Sequence, residues 1–383
     1  MVTRIRPSPG SHSARSPYVF VRTSRFCSPP PYCVIATATR RLGVDLSLRP
    51  GAFLKPCSVL NDRAAELVDA MTARAGMLGV AVTRDASTAG ATLVDCGVRS
   101  LGGLEAGVRL AEVCMAGLGR VDVCHGVAGL WDGPALSVRV DAPLAGCLAS
   151  QYAGWQVARD DYFAMGSGPM RAMAGKEDLF ARIGQTENAA QAVGVLEAAK
   201  LPPAETILYL ADAIGLPPDR LALLVAPTAS IAGTVQVVAR SVETAMHKLF
   251  ELGFDVSQVV SGFGIAPLPP VAADDLVGIG RTNDAILYGG KVTLWLAGGG
   301  KALATEPSPE DGSRGAVAKL SDEEIAAIGP QVPSSASSDH GQPFAEIFRR
   351  YNGDFYKIDP HLFSPAEITL VSLDTGRAFH YGS

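Results

Sequence analysis

With 383 residues, 48% of them hydrophobic, and 41 glycines, the chain can bury one large or two medium α/β cores joined by tight turns. A net charge of −5 argues against nucleic acid as the main partner, and no run of 18 apolar residues offers a membrane span. Charge is uneven: residues 1–57 hold nine Lys or Arg against Asp45 alone, a balance of +8, so the remainder carries −5 − 8 = −13.

The basic segment holds eight of the 26 prolines, lacks sustained periodicity, and has apolar runs too short for a signal-peptide core. Residues 1–57 are therefore expected to be a disordered Pro/Arg-rich extension, from a start site set too far upstream, with 58–383 as the folded body. Cys27, Cys33 and Cys57 fall in the extension, and Cys96, Cys114, Cys124 and Cys147 in the body. The odd total and the lack of a CxxC pair point to free thiols in a reducing cytoplasm.

Along the body, Leu67, Val68 and Met71 give Ala64–Met77 the apolar side of a helix. Strands are expected at Gly79–Val82 and Ala91–Cys96, then a glycine-rich turn from Gly97 into a helix ending near Cys114. Short strands follow at Val121–Cys124 and Leu136–Val140, a helix over Leu144–Trp155 and a strand over Asp160–Met165. A second block holds the apolar Asn188–Ala199, a helix at Ala204–Ile214, and a buried strand at Leu221–Val225 bounded by prolines. Val259, Val260 and Ile265 mark another strand. Residues 298–338 read as a polar insertion with one short helix, opened by Ser321 and Glu324 at capping-box spacing. Pro343–Tyr356 and strands near Ile368–Leu373 close the chain. This alternation predicts an α/β fold with mixed sheets covered by helices, in two lobes divided at roughly 175–190. The Thr228–Ser230 turn should edge the cleft between them.

After that turn, Ile231, Val235, Val238, Val242, Met246, Leu249 and Leu252 recur at steps of three and four, predicting one helix stopped by Gly253. Its other side carries Gly233, Gln236, Arg240, Glu243 and His247. On a solvated face, Arg240 and Glu243 form an ion pair worth roughly 0.2–0.5 kcal/mol, in the weaker order for the helix dipole. In a cleft the same two side chains could hold a reacting group. Both readings stay open on this pattern alone.

Other motifs carry less. The six histidines are scattered, with no HExxH and no zinc spacing. Gly166-Ser167-Gly168 is not the GxSxG of a hydrolase elbow. Lys301 follows three glycines, but Trp295 and Ala302 break the P-loop pattern. Gly262-Phe-Gly264 ends in Pro267, a broken dinucleotide fingerprint. The Gly166–Gly168 turn, with Arg171 beyond it, could let backbone amides approach a ligand or could be a plain tight turn. Arg281-Thr282-Asn283-Asp284 could be a donor cluster or the capped start of a helix.

These residues resemble one family. Val94-Asp-Cys-Gly97, Gln151-Tyr-Ala-Gly-Trp155, Tyr162–Pro169, Ala226-Pro-Thr-Ala-Ser230, Arg240–Ala245, Thr282-Asn-Asp284 and Asp354–Asp359 with Leu362-Phe363 are similar, in order, to methenyltetrahydromethanopterin cyclohydrolases. The likeness covers about Ser58 to Gly382. It implies a cytoplasmic homotrimer of two-domain α/β subunits that reversibly hydrolyses methenyltetrahydromethanopterin to its 5-formyl form. It implies no metal and no cofactor beyond the pterin substrate, while the charge and hydropathy above predict no nucleic-acid partner and no membrane. The family's catalytic R-x-x-E falls on Arg240 and Glu243. Gly166, Ser167, Gly168, Thr228, Ser230, Gln236 and Asn283 fall along the implied pterin cleft. The alternatives are a pterin-linked dehydrogenase, disfavoured by the broken Gly262 fingerprint, and a pterin-binding protein without catalysis.

Overall fold

The computed structural model describes residues 60–126, 130–298 and 319–382. The expected extension, residues 1–57, and the glycine- and proline-rich stretch 299–318 lie outside the described residues.

Among the described residues, twelve strands make two six-stranded mixed sheets. The first contains β1 (Ala81–Thr83), β2 (Thr92–Asp95), β5 (Trp155–Arg159), β6 (Tyr162–Ser167), β7 (Ala192–Glu197) and β8 (Leu221–Ala226). The second contains β3 (Gly119–His125), β4 (Pro134–Val140), β9 (Val259–Pro267), β10 (Lys291–Leu296), β11 (Glu367–Ser372) and β12 (Ala378–Gly382). Their orders are β1-β2-β8-β7-β6-β5 and β12-β11-β10-β9-β4-β3.

In the first sheet β2, β8 and β7 run parallel, and the apolar runs of β7 and β8 are buried on both faces, as helix-covered parallel strands require. In the second sheet β10 and β11 alternate strictly between buried and half-buried positions, one face to the core. The two sheets interleave in sequence: β3 and β4 join the second sheet before β5 to β8 complete the first. A boundary at 175–190 therefore does not separate them. Local alternation cannot reveal which sheet a strand enters, because pairing is decided by long-range contacts.

The apolar stripe expected after Ser230 packs as anticipated. Val235, Val238, Val242, Met246 and Leu249 are fully buried against the second sheet, beside Val138, Leu294 and Ile368. The single long helix does not form. Ile231–Val238 and Ser241–Glu251 are two helices, with Ala239 and Arg240 between them at ψ near zero. The Arg240 amide donates to Val237 O at 3.1 Å, a tightened turn, while Thr244 N returns to Arg240 O at 2.8 Å. No Gly or Pro marks the break, and the stripe keeps its four-residue step across it, so periodicity is blind to it.

Three further segments differ from expectation. Leu144–Gln151 is a wide π-type helix, in which Tyr152 N reaches back five residues to Cys147 O (2.8 Å), and Trp155 already opens β5. Arg281–Asp284 lies inside the helix Asp275–Gly289, which Asp274 caps by accepting from Val277 N at 2.9 Å. The supposed polar insertion is anchored over 319–338. Leu320, Ile325 and Val332 are buried in the main core, and Ser321 and Glu324 form the expected capping box. The strands β10 and β12 carry no expectation from the sequence. β10 shows a period of two that could have announced it.

Candidate active site

The break between the two central helices places Arg240 at the start of the second helix and Glu243 in its first turn. Both are buried, with side-chain exposures of 8% and 6%, so the solvated-face reading fails. The Arg240 guanidinium is held from behind. Nη1 donates to Gln151 O, Nη2 to Ser167 Oγ at 3.2 Å, and Nε to Gln236 Oε1 at 3.3 Å. Gln151 in turn donates from Nε2 to Ala239 O (3.1 Å), fixing the break itself. Glu243 lies 3.6 Å from Arg240 Nη1, near enough for attraction but looser than a hydrogen bond.

Burial is the largest influence on Glu243 and pushes its carboxyl up to about 7, while Arg240 and then Arg171 pull it back. Desolvation wins. His247, one turn further along the helix, is driven by burial to about 4 and so stays neutral near pH 7. Its ring stacks on Tyr152 at 4.5 Å between centroids.

Arg240, Glu243, Thr244 and His247 open onto a cavity of about 240 Å³. Tyr152, Ile286, Phe355 and Phe363 supply its apolar walls, and Asn283 and Glu197 add polar groups. A neighbouring cavity of about 370 Å³ shares Met165, Glu197 and Phe355 with it and adds Thr228, Asp275, Asp161 and Lys200. The charged walls are Arg240 and Lys200 against Asp161, Glu197, Glu243 and Asp275. An acid-rich cleft of this kind favours a cationic guest. Among the described residues, no group of three or more His, Cys, Asp or Glu side chains is arranged to hold a metal ion. No described helix is long and apolar enough to cross a membrane.

Two comparisons with known proteins fit this geometry. A family model described as "Cyclohydrolase (MCH)" matches residues 59–307 and 312–383. A protein of Methylobacillus flagellatus named methenyltetrahydromethanopterin cyclohydrolase is 45% identical over 291 residues, covering 76% of this chain and 82% of its own length. The chain belongs to the cyclohydrolase family. Like-named proteins of Rhodopirellula baltica (46% identity; 77% of this chain, 83% of the relative) and Methanococcoides burtonii (40%; 76% and 85%) agree.

Within this cyclohydrolase the residues singled out from sequence divide into two groups. Arg240, Glu243, Asn283 and Thr228 line the two cavities. The others lie behind them. Ser167 is one of the groups gripping Arg240, and Gln236 is another. Gly166 pairs with Trp155 and Leu196 in mid-sheet. Gly168 takes φ +87°, and its amide already donates to Ser150 O at 2.8 Å. A side chain there would crowd Val193 O and Val195 N at 3.3 Å, which explains the glycine without a ligand. Ser230 caps the helix Ile231–Val238, accepting from Gly233 N at 3.0 Å and donating to Pro227 O at 2.8 Å. Arg171 is fully buried, occupied by Glu177 and by the carbonyls of Leu148 and Ser150.

Glu197 is the group that sequence reasoning passed over. It ends the apolar strand β7, accepts a hydrogen bond from Thr228 Oγ1, and faces both cavities. Burial raises its carboxyl, and Thr228 and Arg240 oppose that rise. A carboxylate at the carboxyl end of a parallel strand stands where α/β sheets collect ligands, and that was the available signal.

Proposed function

We propose that this chain hydrolyses the methenyl bridge of methenyltetrahydromethanopterin to the 5-formyl product, reversibly, with Glu243 as general base and Arg240 orienting it. One observation carries the reading. A buried carboxylate pushed to about 7 faces the cavity beside a guanidinium that is tied elsewhere and does not chelate it. A base works best with a pKa near the operating pH.

The chemistry follows. The bridge carbon belongs to a delocalised amidinium cation, which the acid-rich cleft favours. Water oxygen bonds to that carbon as one of its protons passes to Glu243. The carbon–N10 bond then breaks while N10 takes a proton, and the adduct's hydroxyl proton leaves as the formyl carbonyl forms. One proton is released in total. Arg240 keeps the Glu243 carboxylate turned toward the water and stabilises its charge. Thr228 and Asn283 fit as further substrate contacts, with Gly166, Ser167, Gly168, Ser230 and Gln236 as the frame behind. A cytoplasmic homotrimer that needs no metal or cofactor belongs to the same proposal.

The test follows the methenyl absorbance on adding protein, without nicotinamide. Wild type should abolish it, and Glu243→Gln should lower kcat by about 10²–10⁴-fold while still binding substrate. Near-normal turnover in that variant sinks the assigned role. Turnover that needs a nicotinamide would favour a dehydrogenase, and saturable binding without hydrolysis would favour a non-catalytic binder.

A further inference from the structure

Hydrolysis leaves one proton over at each turnover, and Glu243, which receives it, is buried. We infer that His247 and Glu251 carry that proton from Glu243 to solvent along one face of the helix Ser241–Glu251. The inference rests on the cyclohydrolase reading and adds the proton's way out to it.

Glu243, His247 and Glu251 stand one turn apart on that helix, at spacings that bring side chains together. Their side-chain exposures rise from 6% to 10% to 30%, so the row starts in the cavity and ends in water. Glu243 and His247 line the same cavity. His247 Nε2 lies 3.5 Å from Glu251 Oε1, within reach of a transfer made directly or through one water. The ring is held in place by Tyr152 at 4.5 Å and Phe250 at 6.4 Å between centroids, with both planes close to its own. An imidazole so held turns one nitrogen to Glu251 and keeps the other for the cavity side. Arg240 gives no such passage. Its guanidinium stays protonated and is tied to Gln151, Ser167 and Gln236.

The protonated Glu243 carboxyl gives its proton to His247 Nδ1, and the ring becomes an imidazolium. The Nε2 proton then passes to the Glu251 carboxylate and from there to water. Glu243 is a carboxylate again, and His247 is neutral with its remaining proton on Nδ1, which exchange with cavity water returns to Nε2. Burial first, then Arg171 and His361, hold the imidazole near 4, whereas Glu243 sits near 7. The proton is therefore disfavoured on His247 by roughly a thousandfold and does not lodge there. His247 passes the proton on and does not compete with Glu243 as a base. The reverse reaction draws its proton in through the same row.

A single turnover in weak buffer reads two rates at once: loss of the methenyl absorbance and release of the proton to a pH-indicator dye. In wild type the two should coincide. In His247→Phe, which keeps a ring against Tyr152, the absorbance should fall within about threefold of the wild-type rate while proton release lags it by about tenfold or more. Glu251→Gln, at the half-buried end of the row where the fold tolerates change, should show a lag of the same kind. Added imidazole should shorten both lags by taking the proton directly. Proton release in step with the absorbance in either variant overturns the inference and leaves the cyclohydrolase reading intact. Equal slowing of the two rates overturns it as well and makes His247 a packing residue. Should wild type leave the methenyl absorbance unchanged, the cyclohydrolase reading itself falls and takes the relay with it.

Discussion

Two arginine–glutamate pairs, each with a buried arginine, lie against the end of one segment, and they are built in opposite ways. Arg171 and Arg240 both reach the last carbonyls of the π-type helix Leu144–Gln151, Arg171 at Leu148 and Ser150 (3.0 and 3.2 Å) and Arg240 at Gln151. Those carbonyls lack partners further along the helix and sit at its negative end, a natural seat for a guanidinium. Arg171 then closes on Glu177 through Nε (2.8 Å) and Nη2, a two-pronged pair that lines neither cavity. Arg240 spends its donors on Gln151, Ser167 and Gln236 and leaves Glu243 at 3.6 Å. The first pair is closed and locks two segments together. The second is open, and its carboxylate is left to the cavity. An ion pair on a buried arginine is therefore not one kind of feature. The number of hydrogen bonds the arginine makes to its glutamate separates structure from chemistry.

Exchanging the pairs' roles by mutation tests that contrast. The largest difference should come from Arg171→Met against Arg240→Met. Arg171 is fully buried and holds two backbone carbonyls as well as Glu177, so Arg171→Met should shift the denaturant midpoint strongly. Turnover per folded molecule should stay within about threefold. Arg240→Met should lower kcat by at least tenfold at a smaller stability cost, and equal profiles for the two variants would erase the distinction.

Next comes stability at Glu243. Its carboxyl is raised from 4.5 to about 7 in the folded protein, so its contribution to stability is full below about 4.5 and is lost as pH rises through about 7. Glu243→Gln should therefore be more stable than wild type above pH 7, by up to about 3 kcal/mol, and not in acid. Chemical denaturation at pH 5 and pH 8 measures this. A variant that is less stable at pH 8 would mean that Arg240 holds the carboxylate more tightly than its 3.6 Å distance implies.

The pH profile of activity is a finer probe. A base must be ionised, so kcat/KM for hydrolysis should rise with pH through about 7 and then level. Substitution of Arg171, outside the cavity, should move that midpoint upward only slightly, since Arg171 is the lesser cation acting on Glu243.

The smallest effect belongs to Ser230. As a helix cap it should cost about 1 kcal/mol when changed to Ala, measured by thermal unfolding, with KM unaltered. A large rise in KM would move Ser230 from the frame into the cleft.

Much of this protein is local and therefore legible. The helix Ala204–Ile214, the strand at Leu221, the capping box at Ser321 and the buried stripe from Val235 to Leu249 follow from periodicity and caps, which act over a few residues. The spacing of Arg240 and Glu243 was also visible, but not its meaning. An R-x-x-E on a helix reads as a weak surface pair until burial is known, and burial here comes from distant residues such as Gln151 and Ser167, 89 and 73 positions away. Tertiary structure alone decided three things: the helix break at Arg240, the interleaving of the two sheets, and the meeting of Glu197 with Glu243 across one cavity. Each depends on contacts between distant segments, where strand pairing, desolvation and hydrogen-bond supply are settled together. Desolvation, above all, is a property of the surroundings: it turns a carboxyl that would ionise near 4.5 on a surface into one poised near 7.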